Sequence, residues 1–231
     1  MIPLRDNVPR TKWPGVTLAL IVINSLVFFQ EVALGPIQRN ALIETYALIP
    51  ARTAAFLSGV PIPASRALFP FFTSMFLHGG WMHLIGNMWF LWIFGDNVED
   101  RLGHLRYLFL YLFCGLAGAV TYVYFSLQSS VPSLGASGAI AGVMGAYLVT
   151  FPRARVLTLV PIFFFLTTVE IPAFLILVYW FLLQFLNGVG SIAAADQGGV
   201  AWFAHVGGFL TGVPLMLLLR RPRRSRSAAW T

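Results

Sequence analysis

The sequence predicts an all-α integral membrane protein: a bundle of six transmembrane helices with a partly membrane-embedded first loop and a short central fourth helix. Three observations carry the prediction. Of 231 residues, 58% are hydrophobic and only 10% charged, with a mean hydropathy of +0.79, too apolar for a water-soluble domain of this length. Apolar runs recur six times at lengths near the ~20 residues that a bilayer requires. Between the runs, basic residues gather at alternate ends, as orientation in a membrane demands.

Taken in order, residues 1–14 carry Arg5, Arg10 and Lys12 and read as a short basic tail, with no cleavable signal peptide before the first apolar run. Residues 15–219 form the six-span unit and 220–231 an arginine-rich tail. Span one covers 15–34. Residues 35–77 hold Pro36, Pro50, Pro61, Pro63 and Pro70, which break any continuous helix. Their many apolar side chains, among them Phe69, Phe71, Phe72 and Phe76, predict a loop lying partly in the interface.

Span two, 80–96, puts His83 and Asn87 one turn apart on one face. A polar connection over 95–103 leads to the aromatic-rich span three, 105–127. Span four runs from Ser137 to just before Pro152, about fifteen residues and short for a full crossing. Its serine therefore starts below the surface, and the 129–136 loop dips in to reach it, which is tolerated where backbone packs in protein or lines a wet cavity. Thr167 with Glu170 fits a capping box ahead of span five, 171–186. Residues 187–199, rich in Gly and Ala, read as a mobile outer loop, and span six, 200–219, carries His205.

With the N-terminus inside, twelve of the fifteen basic residues fall on the inner side. This predicts both termini in the cytoplasm. Arginine outnumbers lysine fourteen to one, a bias pointing to a GC-rich bacterial genome and hence to a bacterial plasma membrane. The formal net charge of +7 lies at loop ends and tails rather than on one polar face. It reads as membrane orientation, with the lipid bilayer as partner and no nucleic acid. The single Cys114 leaves no intrachain disulfide.

The stretch 133–145 reads Ser-Leu-Gly-Ala-Ser-Gly-Ala-Ile-Ala-Gly-Val-Met-Gly. Gly138, Gly142 and Gly145 share a face on which another helix must pack closely, and Ala204, Gly208 and Gly212 make a second small-residue face in span six. Ordinary helix packing would account for the glycines alone. Yet Ser137 opens its helix beside unpaired backbone N–H groups that can stabilise a developing anion. Spans two, four and six run in the same direction, so His83, Asn87, Ser137 and His205 fall at one depth. The chemistry that fits is acyl transfer, with Ser137 as nucleophile and His205 as general base and then general acid. No third carboxylate lies at that level, which predicts a two-residue dyad. His83 and Asn87, with the Ser137 amide, supply oxyanion contacts.

These residues resemble the motifs of the rhomboid intramembrane serine proteases. The matching positions are His78-Gly-Gly-Trp-Met-His83-Leu-Ile-Gly-Asn87, then Gly95, Glu99 and Gly103, then Gly135-Ala-Ser137-Gly138, and Ala204-His205 with Gly208 and Gly212. The resemblance spans the whole six-helix unit in its minimal form. It implies an endopeptidase that cleaves single-span membrane proteins near the outer membrane face through a Ser137/His205 dyad, without metal or cofactor. It also implies structural roles near the site for His78, Gly135, Gly138, Gly208 and Gly212. Glu99 and Arg101 read as partners tying the inner connection together. Two positions depart from the family pattern: Pro70 stands where an arginine is common, and Ala141 where some members stack a tyrosine on the histidine. They bear on loop anchoring and imidazole orientation. The competing readings are an inactive relative that binds transmembrane clients, a six-span transporter, and a metal site of His78, His83 and His205. The last is disfavoured by the five-residue gap between the first two, and the second by the scarcity of mid-membrane acids.

Overall fold

A computed structural model describes residues 2–162, 165–193 and 201–220. Strand β1 (Ile2–Asp6) precedes α1 (Gly15–Ala33). Four short helices follow, α2 (Pro36–Tyr46), α3 (Pro50–Leu57), α4 (Ala64–Leu68) and α5 (Pro70–Thr73), then a 3-10 turn at Ser74–Phe76. The chain continues through α6 (Trp81–Leu102), α7 (His104–Phe125) and α8 (Ser137–Thr150). A hairpin of β2 (Arg155–Ile162) and β3 (Phe165–Pro172) then leads to α9 (Ala173–Ala193) and α10 (Trp202–Leu219). Helices α1, α7, α9 and α10 are long and apolar enough to cross a membrane, and α8 is apolar but shorter. Helix α6 completes the six predicted spans and extends through the predicted polar connection to Leu102.

Helix α8 is the axis of the bundle. It is apolar on every side, and all residues from Gly138 to Tyr147 are buried, as expected of a helix enclosed by others. It packs against α6, α7 and, most extensively, α10. A Cβ added at Gly208 would lie 2.0 Å from the Gly138 carbonyl oxygen, and one at Gly212 would lie 1.9 Å from that of Gly142. In the other direction, a Cβ at Gly145 would lie 2.3 Å from the carbonyl oxygen of Phe209. The two predicted small-residue faces are therefore the two halves of one backbone-to-backbone contact.

The first loop is ordered rather than merely interrupted. Pro36, Pro50 and Pro70 each occupy the start of a short helix, where the missing N–H costs nothing. Leu48 and Ser133 exchange two backbone hydrogen bonds, and the Ala51 N–H donates to the Ser129 carbonyl. These bonds pin the segment before Ser137 to the first loop. Thr73 Oγ1 donates to the Tyr46 carbonyl at 2.7 Å, an anchor that does not require an arginine at Pro70.

Three predicted features are corrected by the structure. The residues 1–14 are not simply a tail: β1 pairs antiparallel with β2, Asp6 opposite Val156. Asp6 Oδ2 accepts from Asn97 Nδ2 and from the Tyr147 hydroxyl. The Thr167/Glu170 capping box does not form either, because both residues lie in β3, opposite Val160 and Leu157. Branched and aromatic side chains such as Val156, Val160, Phe165, Thr168 and Val169 favour a pleated strand over a helix start. The predicted outer loop shrinks too, since α9 runs on to Ala193. Residues 194–199 and the arginines beyond 220 lie outside the described residues.

Glu99 ties the bundle together at the end remote from the site. Its carboxylate accepts from the Val16 and Thr17 amides, both at 2.8 Å, and from Thr17 Oγ1 at 2.6 Å. A carboxylate at a helix start satisfies orphan N–H groups and complements the helix dipole. His104 Nδ1 contacts the same carboxylate. The link therefore joins α6 to α1 and α7.

Candidate active site

Three helices deliver the predicted polar residues to one cavity of about 490 Å³. Ser137 is the first residue of α8, and His205 lies in the first turn of α10. The close α8–α10 contact brings Ser137 Oγ within 2.7 Å of His205 Nε2. The other ring nitrogen, Nδ1, lies 2.7 Å from Oε1 of Gln184 on α9. A carbamoyl oxygen only accepts, so a hydrogen bond to it requires the proton on Nδ1, the tautomer that would leave the Nε2 lone pair to the serine. His205 is 9% exposed and Gln184 7%, so water does not compete freely for these bonds.

Beside the pair, α6 contributes His83 and Asn87. The Gly79 amide donates to His83 Nδ1 over a long 3.4 Å, which leaves Nε2–H free as a donor into the cavity. Asn87 Nδ2 is buried and has no partner among the described residues. A buried amide with unspent donors is costly. Here it faces the same cavity as Ser137. Both side chains lie against Gly135, whose φ is +128° and where a Cβ would come 2.7 Å from the His83 ring. Glycine is needed there twice over, for conformation and for space. The Gly135 amide donates to the Ser74 carbonyl at 2.9 Å, fixing the turn into α8. No side chain caps the start of α8, so its first amides remain available. The arrangement can activate a hydroxyl and gather donors about an oxyanion beside it.

Comparison with known proteins identifies the family. The family model for the rhomboid domain matches residues 65–222. The chain belongs to the rhomboid family. Rhomboid-like relatives include RHOMBOID-like protein 6, mitochondrial, of Arabidopsis thaliana, 35% identical over 65% of this chain and 44% of that relative. Rhomboid protein 1, mitochondrial, of Saccharomyces cerevisiae is 34% identical over 61% of this chain and 38% of its own length. The presenilin-associated rhomboid-like protein, mitochondrial, of Mus musculus is 30% identical over 82% of this chain and 49% of its own. The chain thus spans about half the length, or less, of the curated relatives it matches.

These names overturn the expectation of a bacterial plasma membrane with cytoplasmic termini, since the similar rhomboids just named are mitochondrial proteins. Arginine bias reports codon usage and loop charge reports orientation; neither identifies a compartment. Membrane-spanning helices remain, and with them an integral membrane rhomboid.

Of the predicted site residues, Ser137, His205, His83, Asn87, Gly135 and Gly138 line the cavity. His78 is fully buried, its amide donating to Glu31 Oε1 at 3.1 Å and its ring edge-on to Phe28 and His83. Gly138, Gly208 and Gly212 form the α8–α10 contact. Among the described residues no three His, Cys, Asp or Glu side chains converge as metal ligands. Sequence reasoning placed α9 as span five but missed the two side chains it brings to His205, Trp180 and Gln184. Ala141 is buried without reaching the imidazole's role, and the ring is flanked instead by Trp180, 5.7 Å away, and Trp202, 6.3 Å away. Trp180 and Gln184 stand four residues apart on α9, so a polar residue one turn from an aromatic inside an apolar span was the available signal.

Proposed function

We propose that this rhomboid is a serine endopeptidase acting on single-span membrane proteins near the membrane face onto which the Ser137 cavity opens. The single observation that carries the reading is the 2.7 Å contact between Ser137 Oγ and a His205 nitrogen whose partner nitrogen is already committed. His205 Nε2 takes the hydroxyl proton as Oγ attacks the peptide carbonyl, and the carbonyl electron pair moves to oxygen. The Ser137 amide, His83 Nε2–H and Asn87 Nδ2 donate to that oxyanion. Collapse breaks the C–N bond, and the imidazolium returns its proton to the leaving amine. Water, deprotonated by the same imidazole, then hydrolyses the acyl-enzyme and regenerates Ser137. A substrate helix must unwind to enter, because its amides are otherwise hydrogen-bonded and shielded.

The test is cleavage of a model single-span substrate, with a helix-breaking residue moved along its span, by the full chain in proteoliposomes. Ser137→Ala and His205→Ala should each lower kcat by at least about 10³-fold, EDTA should have no effect, and cleavage should depend on the helix-breaker's position. Cleavage surviving Ser137→Ala, or abolished by EDTA, would refute the reading. Substrate held but never cut by the native chain would favour a client-binding relative.

A further inference from the structure

The catalytic pair has a third member on a different helix. Gln184 is one of few polar side chains in the apolar run of α9, and it is 7% exposed with its Oε1 on His205 Nδ1. Among the described residues no carboxylate bonds that nitrogen. We propose that Gln184 is the positioning residue of the site: it holds His205 in the tautomer whose Nε2 lone pair faces Ser137. This inference rests on the protease reading and deepens it.

Four features carry it. Neutral imidazole has one N–H, and which nitrogen bears it is set by what the other meets. With an acceptor fixed at Nδ1, the proton sits there and Nε2 can take the serine proton; with the proton on Nε2, the ring would donate to Ser137 Oγ and could not act as base. The rings of Trp180 and Trp202 flank the imidazole on two sides, so it cannot turn to find another acceptor without displacing them. Finally, Gln184 and Trp180 share one face of α9, so a single helix supplies both the hydrogen bond and the packing. The neutral amide fits this buried setting, where an acidic partner would bring a charge needing its own compensation. The other ionisable side chains lining the cavity are His83 of α6 and Tyr122 of α7.

The test uses the full chain in detergent. The chain has four histidines, so ¹⁵N-histidine labelling gives a spectrum that can be assigned through His→Gln variants, and the native protein should show His205 protonated at Nδ1. Gln184→Leu removes the acceptor at similar volume. It should lower kcat roughly tenfold to a hundredfold with KM nearly unchanged, and should populate the Nε2–H form. Gln184→Glu keeps the acceptor. It should restore kcat to within a few-fold of native and move the acid limb of the pH–kcat profile upward, because a carboxylate stabilises the imidazolium. A native His205 protonated at Nε2 would overturn the proposal. So would equal impairment of both variants with an unmoved pH profile, or a Gln184→Leu enzyme within twofold of native. Activity that survives Ser137→Ala would instead sink the protease reading, while the tautomer measurement still decides the Gln184–His205 assignment. Reading the tautomer in the native protein keeps the test intact if a variant fails to fold.

Discussion

Replacing Gly208 by alanine should pull Ser137 and His205 apart without touching either residue. The new Cβ would lie 2.0 Å from the Gly138 carbonyl oxygen and 2.9 Å from its carbon, where ordinary contact begins at 3.4 Å. The obstacle is backbone on both sides, so no side chain can swing away, and α10 must part from α8 by more than about 1 Å. Gly138 follows Ser137, and His205 lies one turn before Gly208, so the parting acts at the pair itself. A contact of 2.7 Å stretched by that much is no longer a hydrogen bond, and a misplacement of about 1 Å can cost ~10² in rate. The expected result is a fall of about 10² or more in kcat, a matching fall in the rate at which a fluorophosphonate labels Ser137, and a lower melting temperature in detergent, reflecting about 1–3 kcal/mol of overpacking. Gly190→Ala is the control, since nothing lies within 4 Å of its added Cβ; it should leave activity unchanged and stabilise α9 slightly. A folded Gly208→Ala protein with native kcat would refute the reasoning, because the glycines would then not set the distance between nucleophile and base.

Asn87→Ala should lower kcat by about 10²–10³ with little change in KM, and should not destabilise the fold, because Nδ2 has no partner to lose among the described residues; unchanged kcat would remove it from the oxyanion site. Glu99→Ala would strand two amides and a hydroxyl of α1, at roughly 1–3 kcal/mol each, so denaturation in mild detergent should show a loss of about 3 kcal/mol or more. Burial pushes the Asp6 carboxyl above the usual carboxylate range, partly opposed by the hydrogen bond from Tyr147. The folded state then binds the proton more tightly than the unfolded one, so the docking of β1 should weaken as pH rises from 3.8 through the raised value and stay level above it. Asp6→Asn should flatten that slope in a hydrogen-exchange or limited-proteolysis profile of the N-terminal strand, and an unchanged slope would assign it to another group.

Periodicity and residue size carried most of the bundle. The apolar runs are there because hydrocarbon admits only helices or closed barrels, so spans could be read from composition alone, and Ser137, His83, Asn87 and His205 could be put at one depth by counting residues along them. The β2–β3 hairpin was illegible for the opposite reason. Its branched and aromatic run looks equally apolar whether pleated or coiled, and the partner that decides the matter, β1, is about 150 residues away in sequence. The first loop hid in the same way. Its prolines signal breaks, but a proline at a helix start and one in a turn look alike until the chain that follows is seen.

Gln184 marks a deeper limit. Histidine and serine announce themselves because their chemistry is rare inside a membrane, whereas a lone glutamine in an apolar helix has an ordinary use as a bridge between helices. Only the direction of its carbonyl separates the two uses, and direction depends on how α9 is rotated against α10. The glycines make that rotation matter. By holding α8 and α10 at backbone contact, they leave the imidazole a single narrow place to stand, with Ser137 before it and α9 behind it. On the proposed assignment, a neutral acceptor at that back wall then settles which nitrogen faces the serine, and no buried carboxylate is required. On the proposed reading, the spacing of small residues and the polarity of one amide act as a single device: the first sets the distance across which the proton moves, and the second sets which way it can go.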